Sequence, residues 1–307
     1  MITDQTAHGT ASTHIPSILA PGLFDDDEIR AAYHSDPCPE PSLSRSVAYE
    51  IVTRTPGHAR VMHPRLNPDH EETHDEKFDI GSAAHKLILG KGRGVHVIDA
   101  KDYRTDAAKF ARDTARGRGM VPMLAHQYRD TEKLVDAFNA QLGNFGLADI
   151  LSDDTGRSEV VAAWRDPVGG WCRVMFDRLQ RNLAIWDVKT TKVDITEETL
   201  GRHCASMHYE FQNAFYERGL EHLFPEMKGR VEFGLIFVEV NEPFAIMPVR
   251  LPRDALAKGR HMVAKAMERW AEAKRDGVWP MYSGQVRTVE YPPWEIAEFT
   301  DYQEDSP

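Results

Sequence analysis

The stretch WCRVMFDRLQRNLAIWDVKTT, residues 171–191, decides how the chain reads. Apolar residues alternate with polar ones in two runs, 171–179 and 183–189, which is the period of a half-buried strand. Arg181-Asn182 between them supplies a turn. Residues 158–164 form a similar run upstream, closed by the turn sequence Asp166-Pro167-Val168-Gly169-Gly170. The three runs predict an antiparallel meander. Residues two apart share a face, so Asp187 and Lys189 point one way while Trp186 and Val188 point to the apolar side. Asp177 aligns with Met175 and Arg173 near the end of the middle strand, opposite the start of the next. Asp177 and Asp187 therefore converge, and Glu159 in the first strand is a candidate third carboxylate.

Crowding like-charged carboxylates is costly unless a cation neutralises them. Hard oxygen ligands on two or three acids suit Mg²⁺ or Mn²⁺, which keep waters and accept phosphate oxygens. Lys189 beside them would orient the attacking water and offset charge on the transition state. Thr190 and Thr191 end the strand, where they bond phosphate or backbone. The bland account of an Asp-x-Lys pair is an exposed, salt-bridged strand end. Its place after Asp177 in the meander favours the chemical account.

Outward from the meander the chain reads as α/β. Helices are expected over 44–55, 79–89, 107–116, 125–142, 205–223 and 254–276, and strands over 95–98, 230–240 and 244–251. Residues 1–20 read as a disordered tail, 21–290 as one domain and 291–307 as an acidic tail. No apolar run approaches the roughly 20 residues of a membrane helix, and the start lacks a secretory pattern. The three cysteines, Cys38, Cys172 and Cys204, have no paired spacing, so neither a disulfide framework nor an iron–sulfur cluster is expected, and a cytoplasmic location is the default.

Other features carry two accounts each. His85 sits on an otherwise apolar helix face, either as a satisfied core residue or as a metal ligand or phosphate contact. Gln212 and Tyr216, four apart, share a helix face that is either plain surface or a contact to DNA near the cut, with Phe211, Phe215 and Met207 on the core side. Residues 101–118 hold six Lys or Arg against three Asp, as a solvated face or a phosphate-binding surface. His58, His63, His70 and His74 lie in an acid-rich stretch that reads as a mobile loop, with a second metal patch as the alternative. The formal charge of −11 runs against a protein that coats nucleic acid, though local clustering can overcome it.

The order His85, Glu159, Asp177, Asp187-Val188-Lys189-Thr190-Thr191, Gln212 and Tyr216 resembles the PD-(D/E)xK nuclease superfamily. More narrowly it is similar to the phage and prophage recombination exonucleases of the exonuclease VIII (RecE-like) type. Closer signs are Ser42-Leu43-Ser44, Pro56-Gly57-His58-Ala59 and Phe78 to Leu87 with its Gly81-x-x-x-His85 helix. The resemblance implies an α/β restriction-endonuclease-like core: a mixed central sheet with an antiparallel meander, flanked by helices. It implies a Mg²⁺-dependent DNA exonuclease (Mn²⁺ substituting) that degrades one strand of linear duplex 5′-to-3′, leaving 3′ single strands for recombination by annealing. It further implies double-stranded DNA ends as substrate, a single-strand annealing protein as partner, a homo-oligomeric ring, and a phage or prophage origin in a bacterial cytoplasm. Carried over, Asp177 and Asp187 are metal ligands assisted by the Val188 carbonyl, His85 and Glu159 are further metal-site residues, and Lys189 is the catalytic lysine. Gln212 and Tyr216 position the scissile strand, and Ser44, Arg45 and Ser46 match a helix that approaches the 5′ phosphate. A non-catalytic DNA-end-binding scaffold and a structure-specific endonuclease are the competing functions.

Overall fold

The computed structural model describes residues 18–70, 76–92, 94–282, 284–291 and 293. The chain opens with β1 (Gly22–Phe24), α1 (Asp27–Ala32), β2 (Leu43–Ser44), α2 (Arg45–Thr53) and α3 (Pro56–Met62). α4 (Glu76–Leu89), β3 (Val95–Ile98), α5 (Asp106–Gly117), β4 (Val121–Leu124) and α6 (Ala125–Leu142) follow. Then come the meander strands β5 (Gly156–Asp166), β6 (Gly170–Gln180) and β7 (Ile185–Thr191). α7 (Glu197–Ser206), α8 (Tyr209–Leu223), β8 (Phe233–Glu239), β9 (Ile246–Val249) and α9 (Arg253–Asp276) complete the order.

The main sheet runs β1-β5-β6-β7-β8-β9 and is mixed: β7 and β8 are parallel, the other neighbours in that path antiparallel. The parallel step needs a crossover, which α7 and α8 provide. β3 and β4 form a separate parallel pair. The α/β reading of the sequence holds, with the meander at the centre of the sheet.

Helices cover both faces. On one, Trp164, Phe176, Leu235 and Phe237 pack with Phe211 and Phe215 of α8 and Trp270 of α9. On the other, Val188, Ile236 and Val238 meet Ala84 and Ile88 of α4 and Leu134 and Phe138 of α6. Each such large side chain contributes about 1.5–3 kcal/mol by leaving water. α8 and α9 touch so closely that a Cβ on Gly259 would stand 2.1 Å from the Glu210 carbonyl oxygen.

One feature of the sheet makes the site. β6 and β7 pair only at Arg178↔Trp186 and Leu179↔Ile185, then diverge. Past the fork the Val188 N–H donates to the Asp177 side chain, Oδ2 at 2.9 Å, instead of to backbone. β2 occupies the freed edge of β6, parallel to it, at Leu43↔Cys172 and Ser44↔Arg173. A buried network anchors β2: Arg173 Nη1 donates to the Ser42 carbonyl at 2.8 Å and its hydroxyl at 2.7 Å, and pairs with Asp36 at 3.2 Å. The Ser42 hydroxyl donates to Asp36 at 2.6 Å.

Several sequence expectations change. The helix expected over 205–223 is two helices, because His208 adopts φ 53 between α7 and α8. Met207 lies in that break and is 48% exposed, so it is not on the core side. The helix expected to stop before Pro56 is followed at once by α3: Pro56 opens it, where a missing N–H costs nothing, and Thr55 caps it by accepting from His58 N–H. The stretch read as a loop is thus helix up to Met62, with turns over 63–70. His63 is fully buried, its Nε2 3.1 Å from the Ser42 carbonyl, with Nδ1 accepting from the Arg65 N–H. His74 lies outside the described residues. The tail reading of 1–20 changes at Ile18, which is 1% exposed and packs with Cys38, Val161, Ala163 and Trp171; residues 1–17 and most of 291–307 lie outside the described residues.

Candidate active site

Asp187 is 1% exposed, held from both sides. Gln212 Nε2 donates to its Oδ2 at 2.5 Å, and the Lys189 ammonium forms an ion pair at its Oδ1. Strand alternation puts Asp187 and Lys189 on one face, so this pair follows from the local sequence. Gln212 comes from α8 and reaches the strand only because the crossover packs that helix across the fork.

Asp177 sits where the ladder opens. Burial and the neighbouring Asp187 push its carboxyl up to about 6, against the pull of His85, Lys189 and the Val188 N–H. The Lys189 ammonium is opposed by burial, yet Asp187 and Asp177 raise it above the usual lysine value. The two acids and the lysine thus form one electrostatic unit.

His85 arrives from α4. Its Nε2 lies 2.6 Å from the Val188 carbonyl oxygen and 3.5 Å from Asp177 Oδ2. Gly81, one turn earlier, explains the approach: a Cβ there would stand 3.3 Å from Thr190 Oγ1, so a small residue lets α4 lie close on β7. Gly-x-x-x-His is therefore a packing device that delivers an imidazole. The core-residue and metal-site accounts of His85 merge, since it is 27% exposed at the side chain and already bonded.

Glu159 departs from the expected set. It stands at φ 54, and the β5–β6 register skips the pair Glu159↔Asp177. Its backbone carbonyl accepts from Arg30 Nε at 3.0 Å. Its carboxylate lies against the α4–β3 loop, 3.7 Å from where a Cβ on Gly92 would be. Its backbone takes a conformation that a non-glycine residue rarely adopts.

Among the described residues, no group of three or more His, Cys, Asp or Glu is assembled as a metal-binding set. The four-residue set of Asp177, Asp187, His85 and Glu159 is therefore not gathered at one point. Asp177 and the Val188 carbonyl, both beside His85 Nε2, and Asp187 next to Val188 on β7 are oxygen donors of the kind that a hard divalent ion keeping most of its waters would take, rather than a zinc cage. Burial first, and then the charge of Asp187, raises the Asp177 carboxyl, and a bound cation would relieve both.

The remaining expected residues separate into near and far. Tyr216 is 9% exposed, packed edge-on against Phe176 and Phe233, with its phenol pushed well up by burial and then by Asp187. Arg45, first residue of α2, stacks over Tyr49 at 5.2 Å and lies within electrostatic reach of Tyr209 and Tyr216. Its Nε is buried without a hydrogen-bond partner. Ser44 caps α2 by accepting from the Val47 N–H, whereas Ser46 is exposed on that helix. Thr190 faces Gly81, and Thr191 accepts from the Val193 N–H, a backbone role. The cations of 101–118 lie on α5 and its flanks, where Arg104, Lys109 and Arg112 pair with Asp102, Asp106 and Asp113, as on a solvated face.

Sequence reading missed Tyr209. Lys189 Nζ lies 5.5 Å from its ring centroid. The signal was present, since Tyr209 is three residues before Gln212 and seven before Tyr216, on one helix face.

A family model described as "PDDEXK-like domain of unknown function (DUF3799)" matches residues 59–292. The chain belongs to this family. The PDDEXK-like match begins after α2 and spans both strands of the fork. Among solved structures, the PDDEXK-like chain is similar to the crystal structure of a "Putative exonuclease" from Eubacterium rectale, at 15% identity and TM-score 0.54, covering 88% of this chain and 95% of that one. A structure designated SSO0001 aligns at 14% identity and TM-score 0.26, over 64% of this chain and 85% of that one. No curated protein matches the chain. At that identity the first likeness shows the fold alone, and that fold agrees with the PDDEXK-like family. Among the described residues, no helix is long and apolar enough to cross a membrane.

Proposed function

We propose that this chain is a Mg²⁺-dependent DNA exonuclease that degrades one strand of a linear duplex, in the 5′-to-3′ sense, to give 3′ single strands for recombination by annealing. The observation that carries the reading is the fork: Asp177 and Asp187 on diverging strands, with Lys189 paired to Asp187. Asp177, Asp187 and the Val188 carbonyl would hold the ion, with His85 beside them; Mn²⁺ would substitute. When bound, the ion supplies charge neutralisation and polarises the scissile phosphate. Lys189 orients the attacking water and offsets the developing charge. Gln212 fixes the rotamer of Asp187, and Tyr216 walls the site on the α8 side. The buried, unpartnered Nε of Arg45 supports a terminal phosphate contact at the start of α2, which would set polarity. A ring of copies and a single-strand annealing partner belong to the same reading.

The test is digestion of end-labelled linear duplex against covalently closed circular duplex with Mg²⁺. Cleavage of the linear form alone, faster from 5′-phosphate than 5′-hydroxyl ends, supports an exonuclease; nicking of the closed circle makes it an endonuclease. Asp187→Ala should abolish cleavage and leave the circular dichroism spectrum unchanged. Undiminished activity in that variant would remove the assignment of the site, and no cleavage by the parent would favour a DNA-end-binding scaffold.

A further inference from the structure

The catalytic lysine of the proposed reaction sits at the end of a flexible four-carbon stem, so something must hold its ammonium in place. Asp187 alone does not do this, because that carboxylate must also face an ion. The surroundings of Tyr209 offer the missing constraint. Its ring lies 5.5 Å from Lys189 Nζ, within the range of a cation over an aromatic face. The ring is itself packed: Tyr209 is 7% exposed, with His203 edge-on at 6.0 Å and Phe237 at 5.8 Å. His208, at φ 53, breaks the chain just before it, so Tyr209 starts α8 and its position is fixed by that helix. Three residues on, Gln212 grips the other oxygen of Asp187. One helix end therefore sets the acid through an amide and borders the lysine with an aromatic face.

We infer that Tyr209 is a positioning residue, whose aromatic ring holds the Lys189 ammonium against Asp187 Oδ1. The inference rests on the nuclease reading for its kinetic consequence, though not for its geometry. The inferred role belongs to the ring face and not to the hydroxyl. Removing it leaves the ion site intact and lets the ammonium sample other rotamers.

The experiment compares Tyr209→Phe and Tyr209→Leu in the full chain, with folding checked by circular dichroism. On linear duplex with Mg²⁺, Tyr209→Leu should lower kcat about tenfold with KM unchanged, and Tyr209→Phe should stay within about twofold of the parent, in line with a cation–aromatic contact. In a Lys189→Ala background, Tyr209→Leu should lower the residual rate no further, because the effect passes through the lysine. Equal losses in Phe and Leu variants, or an undiminished Leu effect without Lys189, would overturn the inference. A second readout needs no cleavage. In lysine-labelled protein free of metal, the ε-methylene resonance of Lys189, assigned by its absence in Lys189→Ala, should show a ring-current shift. The shift should persist in Tyr209→Phe and vanish in Tyr209→Leu. An unshifted resonance in the parent would sink the proposal even if the chain proves to be a nuclease. A shifted resonance in a chain whose Asp187→Ala variant still cuts would uphold the geometry and reject the assignment of this site to the cleavage reaction.

Discussion

At the scale of single residues, the site is defined by charges that disfavour one another until something compensates them. Burial and Asp187 raise the Asp177 carboxyl to about 6, so folding favours its protonated form. The sign follows: this contribution to stability is complete below the unfolded carboxylate value near 3.9 and is lost as pH rises through about 6. The melting temperature of metal-free protein should therefore fall from pH 5 to pH 7 through this group. Asp177→Asn should abolish that part of the fall, and added Mg²⁺ should reverse it at pH 7. An identical pH profile for parent and variant would contradict the account. Lys189→Ala acts differently. It should lower kcat by about 10²-fold or more while leaving Mn²⁺ affinity, read by titration calorimetry, within about threefold of the parent. Loss of Mn²⁺ binding would mean that the lysine organises the acids rather than the reaction.

At the scale of elements, two close approaches position these groups. Gly81 lets α4 lie on β7 near Thr190, which brings His85 to Val188 and Asp177. Gly81→Leu should push the helix off the strand and lower cleavage about tenfold or more, with a smaller loss in urea midpoint; full activity would show that His85 has no part in the site. α8 is held by α9 at Gly259, where an added Cβ meets the Glu210 carbonyl oxygen at 2.1 Å, a backbone atom with little room to yield. Gly259→Ala should cost about 1–3 kcal/mol in chemical denaturation. The buried acids of α8 are partnered from α9 as well: Lys258 donates to Glu210 at 2.7 Å and Arg260 to Glu217 at 3.0 Å. These contacts keep Tyr209, Gln212 and Tyr216 in register with the fork.

At the scale of the whole molecule, the site depends on a second buried polar centre. Asp36, Ser42, His63 and Arg173 tie β2 to β6, and β2 leads directly into α2 and Arg45. Burial raises the Asp36 carboxyl, but His63, Arg173 and Ser42 outweigh it and hold it at about 2. Its stabilising contribution is present above the unfolded value near 3.9 and disappears as pH falls through about 2. Asp36→Asn should cost about 3 kcal/mol or more at pH 7, since Arg173 is left buried and unpaired. The stability gap between parent and variant should close by pH 2, a comparison that acid titration by circular dichroism would settle. Asp25, first of the acid run at 25–28, has a similar stitching role. Asp25 pairs with Arg30 at 2.7 Å and with Lys91 at 2.5 Å, joining the start of the chain to the α4–β3 loop. Part of the negative charge that argues against a DNA enzyme is thus spent inside the protein.

The sequence by itself determined the meander, the shared face of Asp187 and Lys189, and the pairing of Phe211 and Phe215 on the core side of a helix. These follow from periods of two and about 3.6, which any stretch of chain displays locally. The Gly81-x-x-x-His85 spacing was legible for the same reason. Tertiary structure alone decided the divergence of β6 from β7, the insertion of β2, the left-handed backbone of Glu159 and the meeting of Tyr209 with Lys189. Each joins segments far apart in the chain, or fixes a backbone angle that local preference disfavours, so packing of the whole sheet against α4 and α8 was needed to select it.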